Sequence, residues 1–119
     1  MEANDDPEAV AQRQLEAYNR HDADAFAACF AENARVQRMP GMEVLAEGRP
    51  AIRALYAALF QREPERRVEL ENRIVSGQYV VDHETVTGVP DRSERSAVAI
   101  YEIEGGLVRR VWFPPVADL

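Results

Sequence analysis

His83 is the side chain best suited to acid–base work in this sequence. It stands in VVDHETV, between Asp82 and Glu84, and an imidazole exchanges its proton near neutral pH. The β-branched residues around it predict the centre of a strand. Alternation puts Val81, His83, Thr85 and Thr87 on one side and Asp82 and Glu84 on the other. Tyr101, in the later run AVAIYEI, offers a donor for an oxyanion, and Arg38 and Arg109 offer positive charge for an anionic group. His83 and Tyr101 are therefore the candidate catalytic pair. Arg38 and Arg109 are candidate ligand-binding residues, and Tyr18 and Tyr56 are candidates for lining the same space. The ligand suited to this set is a small hydrophobic or weakly anionic organic molecule. The competing reading is a satisfied strand histidine, arginines paired with local acids, and tyrosines packed in the core.

Other chemistries find little support. His21 and His83 fall in different elements without metal-ligand spacing, and neither HExxH nor CxxC occurs. Gly105-Gly106 reads as a hairpin turn rather than a phosphate-cradling loop. Neither metal nor cofactor is expected. Cys29 lies in the apolar run AFAACF, where a buried small hydrophobe is the expected role. With one cysteine no internal disulfide can form.

The chain has 119 residues, 46% of them hydrophobic, which suits one domain over 1–119 with its core at about 7–113. Net charge is -7, and all 14 basic residues are arginine. Such a surface does not suit nucleic acid, since Arg62, Arg66 and Arg67 are interrupted by Glu63 and Glu65. No apolar run reaches transmembrane length and the start is acidic and polar, so a cytoplasmic protein without membrane contact is expected.

The elements that must position these side chains follow from periodicity. Met1 to Asp5 read as frayed. Asp6 and Pro7 open a helix with Val10, Ala11, Gln14, Leu15, Ala17 and Tyr18 on one side. Asp22 caps a second helix over Ala23 to Phe30, and Ala34 to Arg38 is a short strand. After Pro40-Gly41 and a second short strand, Ile52, Leu55, Tyr56, Leu59 and Phe60 predict a core-facing helix that Pro64 stops. From Val68 onward the period is two. Val68, Leu70, Asn72 and Ile74 share a side, strands follow over Gln78 to Thr87, Ser96 to Ile103 and Leu107 to Phe113, and Pro114-Pro115 ends the sheet. In the last two strands Val98, Ile100, Val108 and Trp112 fall on one side, with Ala99, Tyr101, Ile103, Val111 and Phe113 on the other. Apolar residues on both sides of a small sheet predict a homodimer through the outer face, with Trp112 as its anchor. Asp82 and Glu84 could then pair with Arg95 or Arg110 across that face, or across strands.

QLEAYNRHDADAFAACFAENARV at 14 to 36 and EGRPAIRALYAAL at 47 to 59 resemble the SnoaL-like, or nuclear transport factor 2-like, superfamily. The steroid delta-isomerase type is the nearest within it, and GGLVRRVWF at 105 to 113 matches more loosely. The resemblance implies an α+β cone: a curved antiparallel sheet with mixed edges, packed on three N-terminal helices around a pocket. It implies that dimers often form through the other face of the sheet. It also puts the His83 side of its strand on the pocket face. The isomerase pattern would place a carboxylate base at the end of the strand after helix two, an acidic donor in AVAIYEI and a tyrosine in mid-helix one. Those places hold Arg38, Tyr101 and Gln14. The resemblance thus implies a pocket of isomerase, dehydratase or cyclase kind without the isomerase catalytic residues, or a non-catalytic ligand-binding domain.

Overall fold

The computed structural model describes residues 6–90 and 94–115, so the stretch expected to be frayed lies outside the described residues. The elements are α1 (Pro7–Asn19), α2 (Ala23–Ala28), β1 (Phe30–Arg38), β2 (Glu43–Glu47), α3 (Arg49–Arg62), β3 (Arg67–Ser76), β4 (Tyr79–Thr87), β5 (Arg95–Glu104) and β6 (Leu107–Phe113). The strands form one six-stranded sheet in the order β2-β1-β6-β5-β4-β3. Strands β1 and β6 run parallel, and every other neighbouring pair is antiparallel. The helices cover one face of this curved mixed sheet, which is the expected α+β arrangement.

Local chemistry sets the helix ends. The Asp6 carboxylate accepts from the Glu8 N–H at 3.0 Å, and the Asp22 carboxylate from the Ala25 N–H at 3.0 Å. Helix α3 has no side-chain cap. Gly48, at φ 91°, turns the chain out of β2 and donates its N–H to the Ala34 carbonyl at 2.8 Å. Helix α2 is shorter than the sequence predicts, because Phe30 is drawn into β1. It pairs with Val108 of β6, and its carbonyl accepts two bonds from the Arg49 guanidinium, at 2.9 and 2.7 Å.

The core lies between helices and sheet. Val10, Phe26 and Ile52 from the helices meet Val36, Val80, Ile103 and Val108, all nearly or fully excluded from solvent. Tyr18, Phe26, Tyr56 and Phe60 form a ring cluster with centroids 4.4–6.3 Å apart. The turn after α1 is tied to β3. The Asn19 amide accepts from the Val68 N–H and donates to the Val68 carbonyl, both at 2.9 Å. His21 stacks on Phe60 at 4.6 Å, and its Nε2 lies 2.7 Å from the Arg66 carbonyl, which can only accept. Among the described residues, no helix is long and apolar enough to cross a membrane.

Two irregularities overturn simple alternation. In β3 the register shifts between Leu70 and Asn72. Val68 and Leu70 share the side that packs on the core, but the extra residue swaps the sides beyond it, so Asn72 and Ile74 do not join them. Ile74 turns out to solvent at 63% exposure, and Arg73 turns in. In β6, Glu102 pairs with Arg110 and Ile103 with Val108. That shift buries Val108, expected on the outer side, and takes Arg109 out of its expected inward position.

Candidate functional site

Between the inner sheet face and the helices lies a cavity of about 940 Å³, a size that suits a small organic molecule. Its apolar walls include Phe26, Phe30, Leu55, Leu59, Val111 and Phe113. Its polar lining includes Gln14, Tyr18, Tyr56, Arg66, Glu84 and Tyr101, with Glu94 and Ser96 at the start of β5. Its lining reaches the sheet edge where β1, β4 and β6 end and β3 and β5 begin, a shared edge set by the strand directions. Arg38 and Arg95 stand at that edge with Arg62, from the end of α3.

The structure brings Tyr101, Tyr18, Tyr56 and Arg38 to this cavity. Arg38 is at the rim, largely exposed, with its Nη1 3.4 Å from Glu43 Oε1. His83 is not there. The register Val81↔Ile100 and His83↔Val98 puts it on the outer face, exposed, with Nε2 3.1 Å from Ser96 Oγ. The pocket-face placement of His83 is thus corrected. Valine stands on both sides of β4, at 80 and 81, so hydrophobicity alone does not choose between them. Arg109 is corrected too. The β6 bulge aims it at Glu104, at 3.1 Å, in a polar groove with Arg110 and Glu102.

What β4 presents inward is Asp82 and Glu84. Asp82 is fully buried and receives two bonds from the Arg73 guanidinium, at 2.7 and 3.0 Å. Arg73 also donates to Gln12 Oε1 at 3.0 Å, tying α1 to the sheet. Glu84 differs. It is only 7% exposed and lines the cavity, yet no described residue forms a hydrogen bond with its side chain. Burial, reinforced by the Asp82 charge, pushes its carboxyl up to about 8, while Arg73 and Arg66 pull the other way without prevailing. Glu84 is therefore mostly a neutral acid at pH 7.

Tyr101 is held by Gln14, whose Nε2 donates to the phenol oxygen at 3.0 Å and to the Ala11 carbonyl at 3.1 Å. Burial, then the Glu84 and Asp82 charges, pushes the Tyr101 phenol well above its usual value. Burial also raises Tyr56 and Tyr18, the latter against the opposing pull of Arg66. All three phenols stay protonated, as hydrogen-bond donors. The Tyr18 oxygen accepts from Arg66 Nε, and Arg66 Nη1 bonds Glu63 Oε1 at 2.7 Å. The site thus joins one carboxyl that titrates near neutrality to three phenols, in a largely apolar space.

Residues 11–111 match the SnoaL-like domain. The chain belongs to the SnoaL-like family. No curated protein matches it. Among solved structures, this SnoaL-like domain is similar to an uncharacterized cystatin-fold protein from Novosphingobium aromaticivorans, with 29% identity over 95% of this chain and 98% of that one and a TM-score of 0.82. A putative ketosteroid isomerase from Kribbella flavida is 23% identical over 95% of this chain and 80% of its own, with a TM-score of 0.79. A putative polyketide cyclase from Sinorhizobium meliloti is 21% identical over 95% and 99%, with a TM-score of 0.78. The last two likenesses establish the shared fold.

Glu84, Gln14 and Arg66 are the site residues that sequence reasoning missed. Gln14 lies on the predicted inner side of α1, but only the register brings it to Tyr101. The signal for Glu84 was its shared side with Val80 and Val86, both of which prove buried.

Proposed function

We propose that this SnoaL-like domain is a cofactor-independent enzyme of isomerase, dehydratase or cyclase kind, moving a proton beside a carbonyl of a small organic substrate, with Glu84 as proton carrier. The observation that carries this reading is a buried carboxyl in the cavity that has no hydrogen-bond partner among the described residues and titrates near neutral pH. A base of that strength suits proton transfer at physiological pH. Ionised Glu84 takes a proton from the carbon next to the carbonyl, and the C–H electron pair moves onto the carbonyl oxygen as an enolate. Tyr101, held by Gln14, donates its hydrogen bond to that oxygen. The Glu84 acid then returns the proton to another carbon of the enolate system. His83 has no part, since it faces away.

The test is solvent-deuterium exchange, followed by proton NMR, on a panel of cyclic ketones and β-keto acids. Glu84→Gln should lower exchange about 10²- to 10⁴-fold while the circular dichroism spectrum is unchanged. Exchange retained in that variant removes Glu84 as carrier. Saturable binding without any exchange assigns the chain to the ligand-binding domains instead.

We infer also that a second copy covers the outer sheet face, where Ile74 and Tyr79 are exposed near half-buried Val81, Ile100 and Trp112. That face carries both Glu102 and Arg110, so it can be self-complementary across a two-fold axis. Light scattering should give twice the chain mass, and Trp112→Glu should return it to one. A native monomer at micromolar concentration overturns this reading.

A further inference from the structure

We propose that Arg66 and Tyr18 together receive the carboxylate of a small organic acid whose apolar body lies along the rest of the cavity. This names a substrate class and rests on the reading of the cavity as a small-molecule site. The Arg66 side chain is only 12% exposed. Its Nε donates to the Tyr18 oxygen and its Nη1 to Glu63, which leaves Nη2 without a partner among the described residues. Tyr18 accepts in that bond, so its own hydrogen is uncommitted among the described residues. Both residues line the cavity. A guanidinium N–H and a phenol O–H side by side fit the two oxygens of a carboxylate. A lone carbonyl would occupy one of them.

Charge points the same way. The Glu63 carboxylate lies between two guanidiniums, 2.7 Å from Arg66 and 3.9 Å from Arg62, so this trio holds one positive charge in excess. Arg38 and Arg95 stand at the same end of the cavity, offset by Glu43, 3.4 Å from Arg38, and by Glu94. In a chain of net charge -7, this edge is where an organic anion meets local positive charge. A purely structural Arg66, tying α1 to the start of β3, would explain the Tyr18 and Glu63 bonds. It would not explain why a residue lining the cavity keeps an N–H group without a partner among the described residues.

Isothermal titration calorimetry at pH 6.5 compares 2-naphthoate with 2-naphthamide, which has the same ring system but no charge. The native protein should bind the acid at least about tenfold more tightly. Arg66→Gln should abolish that preference, bringing the two affinities within about twofold of each other. Tyr18→Phe and Arg66→Lys, which keep the packing and the charge respectively, should each weaken naphthoate more than naphthamide. Equal affinity of native protein for both probes overturns the carboxylate assignment and leaves the small-molecule site standing. Preference that survives in Arg66→Gln moves recognition to the rim arginines and overturns the role given to Arg66. Binding of neither probe overturns both readings. Should Arg66→Gln not fold, the native comparison and Tyr18→Phe still decide.

Discussion

Replacing Glu84 by glutamine should make the protein more stable at alkaline pH than the native chain. The carboxyl titrates at about 8 in the fold against an ordinary 4.5, chiefly because it is buried and secondly because Asp82 lies near. The sign follows from linkage. Between those two values the unfolded chain has already released the Glu84 proton while the native state still holds it. Raising pH therefore favours unfolding throughout that window. Each pH unit costs about 1.4 kcal/mol, and allowing for partial titration at both ends, the native state loses about 4 kcal/mol between pH 5 and pH 9 through this group. Glutamine has nearly the same shape and does not titrate. The stability difference between variant and native protein should then grow by about that amount over the same range. Glu84 is 7% exposed, so solvent screening takes little from this figure. Urea denaturation at unit steps of pH measures it, and the difference between the two proteins cancels every other titrating group. A difference that stays flat, or shrinks as pH rises, refutes the argument that burial keeps Glu84 neutral.

Three further outcomes follow from the packing. Asp82→Ala strands the Arg73 guanidinium, now held by two bonds at 8% side-chain exposure, and should cost about 3–5 kcal/mol in urea denaturation; a loss under 1 kcal/mol would show that water or Gln12 replaces the carboxylate. Gly88→Ala should cost at least about 2 kcal/mol, because Gly88 sits at φ +74° and an added Cβ would lie 1.8 Å from the Glu65 carbonyl oxygen. A melting temperature unchanged in that variant would mean the segment at Glu65 shifts freely. His83→Gln should leave the deuterium exchange of any accepted ketone within about twofold of native, since the register puts the ring on the exposed outer face; a hundredfold loss would return His83 to the chemistry.

Particular residues show how far the chain could be read directly. Asp6 and Asp22 announced two helix starts, and both cap as expected because capping is a local matter between neighbouring residues. The spacing of Ile52, Tyr56 and Phe60 announced the buried stripe of α3. In β5, Ala99, Tyr101 and Ile103 alternate inward as read. Where reading failed, pairing was the reason. Phe30 looked helical, but β6 and Arg49 take it into the sheet. The bulges in β3 and β6 exchange faces at Arg73 and Arg109, and no residue in either strand marks the extra position.

By itself, then, the sequence determined the helices and the strand order along the chain, since these rest on periodicity and local capping, while two matching stretches of residues carried the family resemblance. Tertiary structure alone decided which side of β4 faces inward. With valines on both sides the strand could be turned either way, and pairing with Ile100 and Val98 turned His83 out and Glu84 in. A one-residue change of register flips every side chain of a strand. That choice exchanged a solvent-facing imidazole for a buried carboxyl as the group fitted to carry a proton.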